Sequence, residues 1–243
     1  MLIKKLSGNQ LKLIAVVAML VDHIGYLLKR WTFANLTEAD SLYAICRWSW
    51  QIMRAFGRIA FPVFCFLLVE GFFHTKDWKK YALRLGVFAV ISEVPFDLMM
   101  RETMVYWQYQ NIFFTLLIGL LMMASMKAIS LKYPGEQGML LQLMSIVAAC
   151  GLAWVIHADY DYSGIMLIAL LYWFRGEPRR QLLLGYVWMA LSETSWLDRF
   201  GAIFGFLPLL LYNGERGRRR MGPFFYWFYP LHLLILSFIY RLV

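Results

Sequence analysis

The sequence predicts an all-α protein, a polytopic transmembrane helical bundle of about nine spans within a range of eight to ten. Three observations carry that expectation. Of 243 residues, 61% are hydrophobic and 18% aromatic against only 16% charged, a balance that the surface of a soluble domain cannot meet. Apolar runs of spanning or near-spanning length recur along nearly the whole chain, leaving no stretch long enough for a separate soluble domain. The basic residues also divide unequally between alternate loops, as they do in membrane proteins with a fixed orientation. Residues 1–243 are therefore read as one integral membrane domain, with the lipid bilayer as its first partner.

Runs of about 15 to 20 apolar residues place helices at 11–28, 53–72, 81–98, 111–128, 139–156, 163–174, 180–195, 199–212 and 224–242. The first follows lysines but lacks a small-residue cleavage site and precedes further spans, so it reads as a retained helix and not a removed signal. The sixth and eighth are short, and each is expected to tilt in a thinned region or to be a half-helix covered by its neighbours. Pro62, Pro95, Pro208 and Pro230 mark the expected kinks. Cys46, Cys65 and Cys150 lie far apart with no CxxC spacing and read as structural thiols, with neither a disulfide framework nor a metal site implied.

Nine spans put alternate loops on opposite sides. One side receives Lys29, Arg30, Arg47, Arg54, Arg58, Arg101, Arg199 and Arg241, and every other basic residue of the 24 falls on the side of the N-terminus. The positive-inside bias then places the N-terminus in the cytoplasm and the C-terminus outside. The formal net charge of +9 is thus mostly a topology signal, and "GERGRRR" is too short to argue for a nucleic-acid partner.

Ionisable groups inside spans are costly unless paired or wet, so they point to function. Asp22 and His23 sit toward the outer end of the first helix, Arg54 and Arg58 at the start of the second, Glu93 and Asp97 at the end of the third, and Asn111 and Thr115 at the start of the fourth. His157, Asp159, Asp161, Glu193 and Asp198 fall on the same side, and together these residues are expected to build a polar chamber facing outward. Arg54 and Arg58 are four apart, as are Glu93 and Asp97, so each pair stacks on one helix face. Matching depth pairs Arg58 with Glu93 and Arg54 with Asp97, as a structural ladder or as a substrate clamp. Consecutive helical residues point about 100° apart, so the carboxylate that orients His23 should come from another helix, with Glu93, Asp97 and Glu193 as the choices. An imidazole so held is what a general base requires, though a satisfied interfacial histidine is the plainer reading.

The other motifs are weaker alone. "LLVEGFFHT" sets Glu70 and His74 four apart beside the basic "KDWKK", either a solvated helix end or a receiver for a phosphorylated cofactor. "HADYDYSG" reads as an acidic turn whose Asp159 and Asp161 lack the further ligands a cation site needs. "FYWFYPLHL" is an aromatic entry to the last helix, carrying Tyr229, with Pro230 freeing a carbonyl and His232 projecting at mid-membrane.

The blocks "LKLIAVVAMLVDHIG", "RAFGRIAFPVFCFLLVEGFFHT", "YALRLGVFAVISEVPFD", "NIFFTLLIG", "ADYDYSG" and "FYWFYPLHL", in this order, resemble the TraX family, whose named member is associated with N-terminal acetylation of conjugative pilin. The resemblance extends from the first helix to the last. More distantly, such proteins are similar to membrane acyltransferases that draw an acetyl group from cytoplasmic acetyl-CoA. It implies an acyltransferase-like domain in the bacterial cytoplasmic membrane, with acetyl-CoA as co-substrate and an amine or hydroxyl acceptor on a peptide, glycan or lipid-linked molecule at the outer face. By position His23 corresponds to the base of that wider group. Asp22, Glu93, Asp97 and Arg58 would complete the catalytic set, with Arg58, Asn111 or Thr115 facing the oxyanion. Lys79, Lys80, Arg84 and the cluster Arg218, Arg219 and Arg220 would hold the phosphates, joined by Glu70 and His74. Arg54, Asn111, Thr115, Asp159, Asp161, Tyr229 and His232 would contact the acceptor. A transporter or channel would also place ionisable groups in broken helices, but no internal repeat supports one. A non-catalytic assembly factor is the remaining alternative.

Overall fold

The computed structural model describes residues 5–193, 195–217 and 222–242. Arg218, Arg219 and Arg220, expected at a phosphate site, and Lys4 lie outside the described residues. Among the described residues there are ten α-helices and no strand: α1 (Gly8–Asn35), α2 (Ser41–Gly57), α3 (Ala60–His74), α4 (Trp78–Arg101), α5 (Ile112–Lys132), α6 (Gly135–Val155), α7 (Asp161–Trp173), α8 (Pro178–Ser192), α9 (Trp196–Leu210) and α10 (Gly222–Leu242). Among the described residues five stretches are long and apolar enough to cross a membrane: α1, the α2–α3 stretch Ser41–His74, α5, α6 and α10.

The segment 29–52, read from sequence as a loop, is where structure and expectation part. α1 continues to Asn35, and α2 begins at Ser41. Lys29, Arg30, Arg47 and Gln51 break the apolar run that a hydropathy reading needs, but they do not break the helices. Lys29 lies 5.2 Å from the centroid of the Trp50 ring and Arg30 4.9 Å from that of Tyr240, so both cations rest on aromatic faces. α2 is amphipathic: Leu42, Ile45, Ile52 and Phe56 are exposed on one side while Cys46 and Gly57 are buried. A turn at Arg58 and Ile59, whose amides donate to Ala55 and Phe56 carbonyls, separates α2 from α3. The expected single helix 53–72 is therefore two.

The chain gathers into two compact units, residues 1–64 with 186–243 and residues 65–185. In the first, α1 packs on α2 and α10, and α2 packs on α9. Small residues set these approaches. A Cβ on Gly25 would stand 2.8 Å from Met53 Cβ, one on Gly57 would overlap the Asp22 side chain, and one on Gly201 would overlap the Ala55 carbonyl. Gly205, one turn past Gly201, faces Pro62 and Ile59 less tightly, with a Cβ there 3.2 Å from Pro62 Cγ and 3.4 Å from Ile59 Cα. A capping box starts α1, with Ser7 N–H donating to Gln10 Oε1 at 2.8 Å and Ser7 Oγ accepting from the Gln10 amide.

In the second unit α5 packs on α4, α6 and α7, and α6 packs on α7. Leu120, Met123 and Met126 of α5 and Ile165, Leu167, Ile168 and Leu171 of α7 have no exposed surface. The turn before α7 runs through three non-glycine residues with left-handed backbone, His157, Tyr160 and Asp161, a conformation that must be held from outside. It is held by Gln110, whose amide donates to the His157 carbonyl at 3.0 Å and whose carbonyl accepts from the Asp159 amide at 2.9 Å.

Candidate functional site

Asp22 and His23 lie near the middle of α1, not toward its end, because the helix runs on through Lys29 and Arg30 to Asn35. His232 lies at the middle of α10. The two imidazoles meet with His23 Nδ1 2.6 Å from His232 Nε2, rings 12° from parallel and centroids 4.9 Å apart. Both are buried, at 8% and 5% exposure. Tyr229, also buried, has its ring centroid 6.3 Å from that of His23 and 5.7 Å from that of His232. His23 is thus partnered from another helix as expected, but by an imidazole and not by Glu93, Asp97 or Glu193.

The protons of this pair follow from its partners. His232 Nδ1 is 2.7 Å from the Phe228 carbonyl oxygen, which can only accept, so Nδ1 carries the hydrogen. In a neutral ring Nε2 is then an acceptor, and His23 must donate to it from Nδ1. That leaves the lone pair of His23 on Nε2. The chain carbonyl, His232, His23 is the arrangement by which a neutral acceptor fixes a general base in one tautomer.

One residue before His23, Asp22 accepts a hydrogen bond from Arg54 at 2.5 Å. Arg58 lies 3.4 Å from both Glu193 and Asp198. Within the first unit the partners of these arginines are thus Asp22, Glu193 and Asp198, where depth matching expected Asp97 for Arg54 and Glu93 for Arg58. Depth matching assumed one unbroken helix over 53–72, whereas the chain breaks at Arg58 and Ile59, so that Arg54 lies in α2 and Arg58 caps its C-terminal end, and α2 packs on α1 and α9. Beside these pairs is a cavity of about 680 Å³, whose lining includes Lys29, Arg47, Arg54, Arg58, Trp50 and Trp196. Sequence reading used Lys29 and Arg47 only as topology markers and left Trp50 and Trp196 aside. The signal was present: Arg47, Gln51, Arg54 and Arg58 recur at i, i+4, i+7 and i+11, one face of a helix.

The remaining expected residues lie in the second unit, each engaged there. Glu93 accepts from the Asn111 amide at 2.9 Å and from its side chain. Asn111 also caps α5 and donates to the Ala89 carbonyl at 2.8 Å. Asp97, 2% exposed, accepts from the Tyr106 amide at 2.7 Å. The Thr115 hydroxyl donates to the Asp159 carbonyl, and the Asp159 carboxylate accepts from the Tyr109 hydroxyl at 2.7 Å. Asp161 accepts from the Tyr162 amide at 2.8 Å. These contacts fasten the 102–111 segment and the turn before α7. Glu70 accepts from Arg175 Nε at 2.7 Å, with His74 at 3.8 Å. That carboxylate is matched to a cation of its own chain.

Lys79, Lys80 and Arg84 are exposed on the first turns of α4. Asp77 caps that helix by accepting from the Lys80 amide at 3.1 Å, and this hydrogen bond, with the nearby Lys80 charge, holds its carboxyl below the usual range. Among the described residues no group of three His, Cys, Asp or Glu is placed to hold a metal ion.

The family model described as TraX protein matches residues 7–240. A protein of Dichelobacter nodosus named "Probable fimbrial assembly protein FimC, serogroup H1" is 28% identical to this chain over 258 residues, covering 95% of this chain and 94% of that protein. No solved structure matches.

Proposed function

Because the chain belongs to the TraX family, we propose that it is a membrane-embedded acetyltransferase moving an acetyl group from acetyl-CoA to an amine or hydroxyl acceptor, with His23 as the general base. The observation that carries this reading is the buried relay from the Phe228 carbonyl through His232 to His23. A paired, tautomer-fixed imidazole at mid-helix is costly to bury and has a lone pair to use.

Acetyl-CoA supplies an acetyl thioester and, after transfer, leaves as the thiol. His23 Nε2 receives the proton of the attacking amine or hydroxyl as the new carbonyl–nitrogen or carbonyl–oxygen bond forms. The charge that develops on its ring is met by the Nδ1–H bond to His232 Nε2. His232 is held in turn by Phe228, so the ring need not turn over during the step. His23 then returns the proton to the departing sulfur, which closes the proton balance. Asp22, fixed by Arg54, adds negative charge one residue away. An oxyanion role for Asn111 or Thr115 is less favoured, because their donors engage Glu93, Ala89 and Asp159.

The curated relative's name supports a peptide acceptor of the fimbrial class, a subunit amine presented at the membrane. The charge asymmetry of the loops supports a bacterial cytoplasmic-membrane location with the N-terminus inside and the C-terminus outside. That same name favours a second reading, a non-catalytic assembly factor. Sealed vesicles given acetyl-CoA on the cytoplasmic face and an added peptide acceptor separate the two. An acetyltransferase forms product and loses it with His23→Ala, while an assembly factor forms none in either.

A further inference from the structure

The cavity in the first unit has a composition that the acetyl-transfer reading does not use. At about 680 Å³ it is within the range of small-molecule sites. Four cations line it, Lys29, Arg47, Arg54 and Arg58, against one lining carboxylate, Asp198. Arg54 and Arg58 are matched by Asp22, Glu193 and Asp198. Lys29 and Arg47 are different: among the described residues neither forms an ion pair, and Lys29 has only the Trp50 ring beneath it. The lining thus carries an excess of positive charge with aromatic surface beside it. Trp50 adds a second sign, since its buried indole N–H has no acceptor among the described residues. A donor of that kind, next to two cations lacking carboxylates, is what an absent anion would satisfy.

We propose that this cavity binds an organic phosphate ester, with the phosphate at Lys29 and Arg47 and the body of the ligand against Trp50 and Trp196. Guanidinium and ammonium suit phosphate oxygens, and the tryptophans suit a flat or apolar body. Two sources share this chemistry: the nucleotide end of coenzyme A and the headgroup of an anionic phospholipid. Lys29 lies six residues beyond His23 on α1, about 9 Å along the axis. The nucleotide source rests on the acetyltransferase reading and requires the Lys29 end of α1 to face the cytoplasm, opposite to the orientation that loop charge supports, whereas the lipid source requires neither.

The experiment is equilibrium binding of radiolabelled 3′,5′-ADP to the purified full chain in nanodiscs of phosphatidylcholine, repeated with phosphatidylglycerol added. No turnover is involved, so failure here leaves His23 chemistry untouched, and an active His23→Ala variant would leave the cavity untouched. Saturable nucleotide binding weakened about tenfold or more by Lys29→Gln with Arg47→Gln, but not by Lys79→Gln with Lys80→Gln, supports the site with a nucleotide source. Arg47 is exposed, so Arg47→Gln alone should fold and still weaken binding severalfold. Phosphatidylglycerol retained through purification by the wild type and lost from Lys29→Gln with Arg47→Gln supports the site with a lipid source. The proposal is overturned if neither phosphate binds, or if binding is indifferent to Lys29 and Arg47.

Discussion

His23 and His232, 209 positions apart in sequence, meet at 2.6 Å through facing ring nitrogens. Two imidazoles joined this way must divide one hydrogen between them, so their roles are unequal. The Phe228 carbonyl makes His232 the orienting partner and His23 the group with a lone pair to offer. His23→Ala should abolish acetyl transfer. His232→Ala should reduce it roughly 10²- to 10⁴-fold, the usual span for a disabled general base. The double variant should be no slower than His23→Ala alone, because the two act as a unit. Steady-state rates against pH check this, and a His232→Ala enzyme with an unchanged rate and profile would refute the relay.

Breaking the Asp22–Arg54 pair should cost stability, since each side chain is mostly buried, at 17% and 25% exposure. Asp22→Ala or Arg54→Ala alone should lose about 2 kcal/mol, discounted from a fully buried pair for partial solvent contact. Replacing both with apolar residues should lose less than the sum. Denaturant unfolding in detergent micelles reads the cycle, and strict additivity would mean that the pair does not couple.

Charge reversal distinguishes the partners of Arg58. Arg58→Glu should destabilise the fold, and adding Glu193→Arg should restore part of the loss, while adding Glu93→Arg should restore none. Melting temperatures of the three variants decide it. Rescue by Glu93→Arg would return the ladder that depth matching suggests.

Three glycines make opposite forecasts. Gly57→Ala pushes into Asp22 and Gly201→Ala into the Ala55 backbone, so each should cost about 1–3 kcal/mol as an overpacked contact. Gly151, inside α6, has open space where a Cβ would go, and Gly151→Ala should be neutral or stabilising by up to about 1 kcal/mol. Thermal stability of the purified variants is the measurement.

Asp77 has a folded carboxyl held below its ordinary value of 3.8, mainly by the Lys80 amide. A depressed carboxyl contributes stability that is present above the unfolded value and is lost as pH falls through the folded one. Protection of the Lys80 amide from hydrogen exchange should therefore persist at pH 3.8 and fade below it. In Asp77→Ala the amide should be unprotected throughout.

Membrane character, helical class and the positions of all the helices but α2 and the start of α3 were legible in the sequence, because burial of backbone polar groups in lipid leaves an apolar run of this length little alternative to helix. Family membership was legible too, in blocks such as "GRIAFPVF" and "ISEVPF". That Asp22, His23, Arg54, Arg58 and His232 would each need a partner could be read from the cost of placing such groups within apolar runs. Their pairing could not. A helical period tells which residues share a face, but not which helix that face meets, and depth matching assumed a single helix where α2 and α3 are separate. α2 itself escaped because an amphipathic helix carrying Arg47, Gln51 and Arg54 lacks the continuous apolar signal of a span. Only packing at Gly25, Gly57, Gly201 and Gly205 decides that α1 lies against α2 and α2 against α9. That packing brings Arg54 to Asp22 and gathers Lys29 with Arg47 around one cavity. The close approach of α10 to α1 then turns two distant histidines into one relay.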